Sequence, residues 1–386
     1  MIIIVLWFIF AFLSFGILGI AYLWLKKVAN RPWNINIDNR FKPKVSIIVP
    51  TYNEEQIIAY KIKNLAKLEY PKDLVQIIFV DGCSTDSTVE KINAFIQNTD
   101  GMNIQLIRES KRAGKSASLN TALKNCQGDV IIVSDADCFW PSTILGKAIP
   151  YLADPRVGAV SGPKKLLNMS DSYATNSEVS YLETMNLMKL GESKFSSTLL
   201  FEGGFSAFKK EVLESFDPYN TGSDDCGTII HVIEKNFRAI MVPEAEFYTF
   251  FPKTLSGKFE MKMRRASQLI HVFKKYAMVL LRGKVKSERW IIVKNLLTYF
   301  LAPLTFLAFI IISLYIIFKI PITMLALSVL LIPKVRSCFF EVSLAYIVIL
   351  CAMFLSILMK KSFAIWKQPG DRFLLNEEYL HRNCLI

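Results

Sequence analysis

The chain has 386 residues, of which 52% are hydrophobic, and its formal net charge at pH 7 is +13. This composition is too apolar for an ordinary soluble domain, and the apolar residues are concentrated at the two ends of the chain. Seven cysteines without a CxxC pair, together with only three histidines, indicate neither a disulfide framework nor a zinc site.

The first predicted element is an apolar transmembrane anchor over residues 1–26. Residues 2–25 carry no charge, and as a helix they would extend about 36 Å, which exceeds the hydrocarbon core of a bilayer. A cleaved signal peptide is disfavoured, because no basic region precedes the run and no cleavage site follows it. Lys26, Lys27 and Arg31 come directly afterwards, so the positive-inside rule places the following chain in the cytoplasm.

The next region, residues 42–252, alternates between strand and helix signals. Short apolar β-branched runs indicate buried strands, and the stretches between them have helical spacing. Continuous apolar strands separated by helices favour a mostly parallel α/β sheet, in which ligands bind at the carboxyl ends of the strands. The predicted strands are 45–50, 76–82, 103–108, 129–135 and 157–162, and the predicted helices are 54–68, 86–98 and 115–126.

Polar residues that suit ligand binding follow each of the first four predicted strands. These stretches are "TYNEE", "DGCSTDST", "RESKRAGKS" and "SDAD". A single acidic strand end is usually a helix cap or a turn, but four of them at one edge of a sheet predict a binding site.

The last of these stretches contains two carboxylates, Asp135 and Asp137. Two acids this close repel each other unless a positive charge lies between them, so the triplet is either a metal site or a polar turn. Alternate residues of an extended strand point in opposite directions, and both acids reach one ion only if the chain bends after Ser134. Oxygen ligands of this kind suit Mg²⁺ or Mn²⁺.

The basic charge is concentrated in residues 253–294, where 12 lysines and arginines face only Glu260 and Glu288 and the segment carries a charge of +10. The stretch "SQLIHVFKKYAMVLL" mixes apolar residues with a basic face, which predicts an amphipathic helix on anionic membrane lipids. A solvated charged linker is the alternative. Nucleic acid is not expected as a partner, because the segment lies beside apolar runs.

The C-terminal region 295–360 contains apolar runs at 295–318, 320–333 and 338–359. The first and third are long enough to span a bilayer, whereas the middle run is either a short tilted span or a re-entrant segment. Two or three spans are therefore expected. The tail, residues 361–386, is cytoplasmic if the middle run does not cross, which suits the basic residues at its start.

Four motifs together resemble the inverting family-2 glycosyltransferases with the GT-A fold. They are "SIIVPTYNEE", "VDGCSTDST", "GKSASLNTAL…GDVIIVSDAD" and "GGFSAF…SDD", and the match extends over about residues 45–265. The apolar flanks resemble those of membrane-integrated members that act on lipid or polysaccharide acceptors. The resemblance implies a GT-A (nucleotide-diphospho-sugar transferase) domain over 42–252 that uses a nucleotide-sugar donor, with a UDP-sugar favoured and a GDP-sugar as the alternative.

The resemblance also implies roles on the donor side. Asp137 would hold Mg²⁺ or Mn²⁺, and Asp135 would contact the metal or the donor ribose. Lys115 would lie near the nucleotide, although an ordinary surface lysine at a helix start is an alternative. The other implied donor-binding positions are Pro50 and Thr51 at the turn near the base, Glu54 near the nucleoside and Asp81 at the base.

On the acceptor side, Asp224 and Asp225 match a Glu-Asp pair whose aspartate acts as the general base, which implies Asp225. Both acids also suit a helix cap. An ionised lipid phosphate would need no base, and Asp225 would then orient the acceptor. Gly203 and Gly204 resemble the segment that lines the acceptor, where glycine lets the backbone approach a sugar closely.

The sequence departs from the Gln-x-x-Arg-Trp motif that processive synthases of the family carry after the general base. Met261, Arg264 and Arg265 occupy the three positions here. Arg264 still suits the donor diphosphate, because its guanidinium forms paired hydrogen bonds with phosphate oxygens. The absent Gln and Trp weaken the case for a processive enzyme.

We therefore expect a multi-pass cell-membrane glycosyltransferase that adds one sugar to a lipid-linked or saccharide acceptor at the cytoplasmic face, in contact with membrane lipids. The alternatives are a processive synthase of the cellulose, hyaluronan or poly-N-acetylglucosamine type, and a non-catalytic nucleotide-sugar-binding membrane protein. A soluble nucleotidyltransferase also uses paired acids on such a sheet, but the spans would then have no explanation.

Overall fold

The structure is a computed structural model that describes residues 2–99, 101–285, 288–320, 328, 331–358 and 377–386. The strands are β1 Val45–Thr51, β2 Val75–Asp81, β3 Asn103–Arg108, β4 Val130–Val133, β5 Cys138–Phe139, β6 Val157–Ser161, β7 Lys164–Leu166, β8 Ser206–Lys209, β9 Arg238–Met241 and β10 Phe247–Thr249. The helices are α1 Ile2–Ala29, α2 Ile58–Ala66, α3 Thr88–Gln97, α4 Lys115–Leu123, α5 Ile144–Ala148, α6 Tyr173–Phe195, α7 Cys226–Glu234, α8 Leu255–Leu281, α9 Arg289–Lys319, α10 Pro333–Leu358 and α11 Glu377–Arg382.

The main sheet has seven strands in the order β3-β2-β1-β4-β8-β6-β9. Strands β3, β2, β1 and β4 are parallel, whereas β8 runs antiparallel to both β4 and β6. Thr51 lies opposite Asp81, and Asp81 lies opposite Arg108, so the carboxyl ends of three strands form one row. The prediction of a mostly parallel α/β sheet is confirmed.

All five predicted strands are present, and their ends differ from the predicted ones by at most two residues. Their side chains alternate between two buried layers, as expected for a sheet that is covered on both faces. Ile47 and Val49 of β1 pack in the layer that contains α2, and Ile48 packs in the layer that contains α4, α7 and α8. The three predicted helices are also present but start or end inside the predicted limits.

Helix α8 connects the sheet domain with the last apolar helix. Phe273 and Tyr276 pack in the same core layer as α7, and Ile270 packs against Val348 and Ala352 of α10. The predicted amphipathic segment 253–294 therefore contains α8, which packs against both the sheet domain and α10, and the first residues of α9. Its contact with lipid stays a prediction.

Among the described residues, three helices are long and apolar enough to cross a membrane: α1, α9 and Phe339–Ser356 within α10. Helices α1 and α9 are joined by polar contacts between Trp7 Nε1 and Ser313 Oγ at 2.8 Å and between Ser14 Oγ and Thr305 Oγ1 at 3.1 Å. Such interhelical hydrogen bonds are typical of membrane helices. These helices indicate that the chain is membrane-associated. Most of the predicted apolar run at 320–333 lies outside the described residues.

The acid in the third apolar run has a partner. The Nζ atom of Lys258 on α8 lies 3.2 Å from Glu341 Oε1 and donates to Ser177 Oγ at 2.7 Å. Lys258 also lies 3.5 Å from Glu178 Oε2. An ionisable group in an apolar helix is usually paired in this way, and the pair joins α10 to α6 and α8.

The final ten residues pack against the sheet domain. Leu380 and Leu385 are buried beside Ile57 and Phe139, and the hydroxyl of Tyr379 donates to Asp171 Oδ1 at 2.6 Å. Residues 377–386 are thus in direct contact with the sheet domain. The remainder of the predicted tail, from 361 to 376, lies outside the described residues.

Candidate active site

A cavity of about 1090 Å³ opens at the carboxyl ends of the parallel strands and continues to helices α8, α9 and α10. The sequence analysis gave twelve residues a catalytic, donor-binding, acceptor-side or metal-holding role, and ten of them line this cavity. They are Pro50, Thr51, Glu54, Lys115, Asp135, Asp137, Gly203, Asp224, Asp225 and Arg264.

The chain bends directly after β4, as the metal interpretation requires. The N–H of Cys138 donates to the carbonyl oxygen of Asp135 at 3.2 Å and closes a turn. The turn brings one ligand atom each of Asp135, Asp137 and Cys138 within 4.8 Å of one another. Both carboxylates are therefore on the same side of the bend.

The donor atoms at this bend fit a hard divalent ion. Two carboxylates supply oxygen ligands, and Mg²⁺ and Mn²⁺ bind such ligands while keeping other positions for phosphate oxygens. Burial raises the pKa of the Cys138 thiol to about 12, so it stays protonated at neutral pH and is a poor ligand for these ions. Of the three groups at this bend, Asp135 and Asp137 therefore suit such an ion better than Cys138 does.

Lys115 forms ion pairs both with an acid of the bend after β4 and with an acid at the start of α7. Its Nζ atom is 2.6 Å from Asp135 Oδ1 and 2.8 Å from Asp224 Oδ2. Burial by itself lowers the pKa of Lys115, but Asp135, Asp224 and Asp225 outweigh it and raise the pKa well above its usual range. Lys115 is therefore a charged cavity residue and not an ordinary surface lysine.

The two neighbouring acids at the start of α7 differ in their contacts. Asp225 caps the helix, because its Oδ1 accepts hydrogen bonds from the Cys226 N–H at 2.6 Å and the Ser223 hydroxyl at 2.5 Å. Asp224 faces Lys115 instead. Burial, reinforced by Asp225 and Asp135 and opposed by Lys115, raises the pKa of Asp224 to about 6.

The two neighbouring glycines also differ. A Cβ atom on Gly203 would lie 2.6 Å from Lys115 Nζ and 3.1 Å from Asp135 Oδ2, so this glycine leaves room inside the cavity. A Cβ atom on Gly204 would lie 2.1 Å from Phe247 Cε2 in the core. The structure places Gly203 in the cavity and Gly204 behind its wall, where the Gly204 carbonyl accepts the Trp140 Nε1–H at 2.8 Å.

Asp81 lies behind the cavity wall as well. It is fully buried, its Oδ2 accepts the N–H of Ser84 at 3.1 Å, and its Oδ1 has no hydrogen-bond partner among the described residues. Its neighbours Thr51 and Gly82 line the cavity. The base-recognition role implied for Asp81 stays a prediction.

Several charged residues of the cavity were not singled out from the sequence. Glu202 Oε1 accepts a hydrogen bond from Lys189 at 2.8 Å, and Glu202 Oε2 lies 3.0 Å from Lys164 Nζ. Burial opposes ionisation of Glu202, but Lys164 and Lys189 hold its pKa well below the usual range. Glu202 directly precedes the two glycines of the "EGGF" stretch, but no local pattern in the sequence indicated its partners.

Helix α8 contributes the residues at the positions of the processive motif. Arg264 lines the cavity, and burial lowers its pKa to about 10, so it is charged at neutral pH. Met261 packs against Leu182 and Phe251, and Arg265 also faces the cavity. Two guanidinium groups thus occupy this wall.

Part of the cavity lining comes from the apolar helices. Tyr299 of α9 and Ala345, Val348 and Ile349 of α10 form part of its lining. One continuous cavity therefore connects the acidic strand ends with two of the helices that are apolar enough to span a membrane.

Comparisons with known proteins agree with this architecture. The Glycosyl transferase family 2 profile matches residues 46–216. The chain is similar to a probable glycosyltransferase, YdaM, of Bacillus subtilis (strain 168), with 27% identity over 270 residues that cover 67% of this chain and 63% of that protein. It is also 26% identical over 243 residues to an N-acetylglucosaminyltransferase of Rhizobium meliloti (strain 1021), covering 60% of this chain and 56% of that protein.

A third relative is the poly-β-1,6-N-acetyl-D-glucosamine synthase of Staphylococcus aureus, with 25% identity over 245 residues, or 61% of this chain and 57% of that protein. The chain thus spans between 56% and 63% of the length of these three relatives.

Among solved structures, the mannosyltransferase PcManGT from Pyrobaculum calidifontis, in complex with GDP-Man and Mn²⁺, superimposes with a TM-score of 0.80 and 27% identity, covering 93% of this chain and 100% of that one. Together the family profile and this structural similarity show that residues 46–216 form a Glycosyl transferase family 2 domain and that the fold is GT-A.

Proposed function

We propose that the protein is a membrane-bound, metal-dependent inverting glycosyltransferase that transfers one sugar from a nucleotide-sugar donor to a lipid-linked or saccharide acceptor at the cytoplasmic membrane face. The continuous cavity carries this proposal. Asp135 and Asp137 line one part of it, and Val348 and Ile349 of α10 line another. A lipid-linked acceptor is favoured over a free saccharide, because an apolar chain fits a wall made by apolar helices.

The donor end suits a nucleotide sugar. When bound, a divalent ion held by Asp135 and Asp137 would neutralise charge that develops on the leaving diphosphate. Arg264 faces the same cavity with a guanidinium that suits phosphate oxygens. Pro50, Thr51 and Glu54 would contact the nucleoside, with a UDP-sugar or a GDP-sugar as the donor.

The acceptor end suits a direct displacement. The acceptor oxygen would attack the anomeric carbon from the face opposite the diphosphate, and Asp225 would take the proton of an acceptor hydroxyl as general base. The cap contacts of Asp225 fix its carboxylate at the cavity edge. Asp224 would hold Lys115 near the reacting centre, and Gly203 leaves room for the sugar.

We further propose three membrane crossings by α1, α9 and α10, with both the sheet domain and the tail in the cytoplasm. Basic residues after α1 support this orientation. Leu380 and Leu385 pack against the sheet domain, which supports an even number of crossings between that domain and the C-terminal end. The apolar run at 320–333 would then not cross.

The basic segment 253–294 would position the cavity against the bilayer. On α8 and directly after it, Lys274, Leu281 and Lys284 are exposed, so apolar and basic groups are both available to lipid headgroups. This arrangement matches an interfacial helix end more closely than a solvated linker.

The test uses the purified full-length protein in vesicles that contain a native lipid extract. Radiolabelled UDP- and GDP-sugars are supplied one at a time with Mg²⁺ or Mn²⁺, and label is measured in the organic phase, in polymer and as free sugar. We expect label in the organic phase from one donor class. Label confined to polymer would contradict the single transfer to lipid, and no product from any donor would contradict the proposed reaction.

A processive synthase is the second candidate, because the Staphylococcus aureus relative is a poly-β-1,6-N-acetyl-D-glucosamine synthase. Met261 and Arg265 stand where processive enzymes carry Gln and Trp, which favours the single transfer. The chain length of the product decides between the two: one added sugar excludes a processive enzyme.

A further inference from the structure

Lys61 on α2 is a fully buried lysine that the sequence patterns did not single out. Its exposed fraction is 0%, and it lies on the apolar face of the helix with Ile58, Ile62 and Leu65. Lysine is almost never fully buried unless its amine has partners. The position of Lys61 in the core therefore calls for a structural reason.

The partners of Lys61 are at the two ends of the bend that carries the acidic pair. Its Nζ atom donates to Ser134 Oγ at 2.6 Å and to the carbonyl oxygen of Cys138 at 2.6 Å. Asp135 and Asp137 lie between these two residues. One amine thus joins the residue before the acids to the residue after them.

Asn64 supports the same bend from the next turn of α2. Its Oδ1 accepts the N–H of Trp140 at 2.9 Å, and its Nδ2 donates to the carbonyl oxygen of Trp140 at 2.7 Å. The ring of Trp140 also lies under the Lys61 amine, with 4.5 Å between Nζ and the ring centroid. Helix α2 therefore holds residues 134–140 from behind, whereas Lys115 contacts Asp135 from the cavity side.

The two contacts of Lys61 do not depend on its charge. Both acceptors are neutral oxygens, and an amine and an ammonium group each have enough hydrogens to donate to both. A hydrogen-bonding role for Lys61 therefore differs from the charge-pairing role of Lys115.

We propose that Lys61 is a positioning residue that holds the Ser134–Cys138 bend in the conformation in which Asp135 and Asp137 reach one divalent ion. Partners that orient metal ligands commonly change metal affinity by about 10- to 100-fold when they are removed. The inference rests on the proposed metal-dependent function, so its test measures metal binding separately from turnover.

The experiment compares Lys61→Met, Lys61→Gln and Lys63→Met in the purified full-length protein. Methionine keeps the length of the side chain without a donor, and glutamine keeps a shorter N–H donor. Lys63 is exposed on the same helix, so its substitution is the matched control. Mn²⁺ binding is measured by electron paramagnetic resonance without donor or acceptor, and the melting temperature is recorded alongside.

We expect Lys61→Met to weaken Mn²⁺ binding by about tenfold or more, Lys61→Gln to fall between it and the wild type, and Lys63→Met to bind as the wild type does. Wild-type Mn²⁺ affinity in a folded Lys61→Met variant would overturn the inference while leaving the proposed function intact. A wild-type protein that binds no Mn²⁺ would overturn the metal-dependent function and this inference together.

Ser134→Ala covers the case in which Lys61→Met does not fold. It removes one acceptor of Lys61 and leaves the buried lysine bonded to the Cys138 carbonyl. Weaker Mn²⁺ binding in this variant supports the positioning role, and unchanged binding counts against it.

Discussion

The donor-facing and membrane-facing halves of the cavity are assembled in different ways. The donor half consists mainly of the end of β1 and the segments that follow β1, β2, β3 and β4. The membrane half draws on α6, α9 and α10, which are far apart in the chain, and α8 lines both halves because its Arg264 belongs to the donor half. Adjacent parallel strands place their carboxyl ends together, whereas the membrane half depends on long-range helix packing.

The two halves also differ in how their acidic side chains are balanced by lysines. On the donor side, Asp135 shares Lys115 with Asp224 of the acceptor end, and Asp137 adds a further carboxylate nearby. Next to the membrane half, behind the cavity lining, Glu341 is matched by Lys258 in a largely buried ion pair. An excess of carboxylates suits metal and diphosphate chemistry, whereas matched pairs suit packing. Substitutions on the two sides should therefore affect different measurements.

Asp225→Asn is expected to have the largest effect among the substitutions that compare the halves. Asparagine caps helices about as well as aspartate, so stability should be nearly unchanged. Loss of the general base should lower the rate of transfer to a hydroxyl acceptor by about 10²- to 10⁴-fold. Steady-state kinetics and the melting temperature are measured together, and a wild-type rate with a hydroxyl acceptor would exclude Asp225 as the base.

Lys258→Met tests the ion pair of the membrane half. Removing one partner of a buried pair leaves an uncompensated charge and should lower the free energy of unfolding by about 3 kcal/mol. The affinity for nucleoside diphosphate should not change, because Lys258 lies outside the donor half. Thermal unfolding in detergent and nucleotide titration measure the two quantities.

The controls for this prediction are the double variant Lys258→Met/Glu341→Leu and the single variant Lys274→Met. Replacing both partners by apolar groups should recover much of the lost stability. Lys274 is an exposed lysine on the same helix and should have little effect. Equal losses in the double variant and in Lys258→Met would show that the pair itself does not hold α10.

The adjacent glycines provide the smallest and most local comparison. Gly204→Ala forces a methyl group into Phe247 and should destabilise the protein by about 1–3 kcal/mol. Gly203→Ala displaces the flexible end of Lys115 instead, so the fold should persist while the KM for the donor rises several-fold. Melting temperatures and donor kinetics distinguish the two variants. A raised donor KM with unchanged stability in Gly204→Ala, or a destabilised Gly203→Ala with an unchanged KM, would contradict the placement of Gly204 in the core and Gly203 in the cavity.

The sequence allowed much of the donor half to be predicted, for a physical reason. Strands such as 76–82 are continuous apolar runs bounded by polar residues, and parallel strand ends share one edge. The bend after Ser134 could also be anticipated, because two acids of an extended strand cannot face one ion. A site role for Lys115 could be predicted only when the other strand ends were considered with it, because a lone lysine at a helix start also fits an ordinary surface position.

The membrane half was less accessible from sequence. Helix α6, capped by Ser172 through a reciprocal contact with Thr175, was not predicted, because its apolar residues do not keep to one face. The partners of Glu202 lie on α6 and β7, and no local pattern connects them. The burial of Lys61 could have been inferred from the sequence, because this lysine shares a helix face with Ile58 and Ile62. Its hydrogen bonds to the bend could not be predicted without the tertiary structure.

The most direct test of the central claim is the metal dependence of nucleoside diphosphate release by the purified protein and by Asp137→Ala, with the exposed Asp73→Ala as control. We predict that EDTA stops release, that Mn²⁺ restores it, and that Asp137→Ala loses about 10³-fold in rate without a change in melting temperature. Undiminished release by Asp137→Ala, or by the EDTA-treated wild type, would contradict the assignment of the acidic bend as the catalytic metal site.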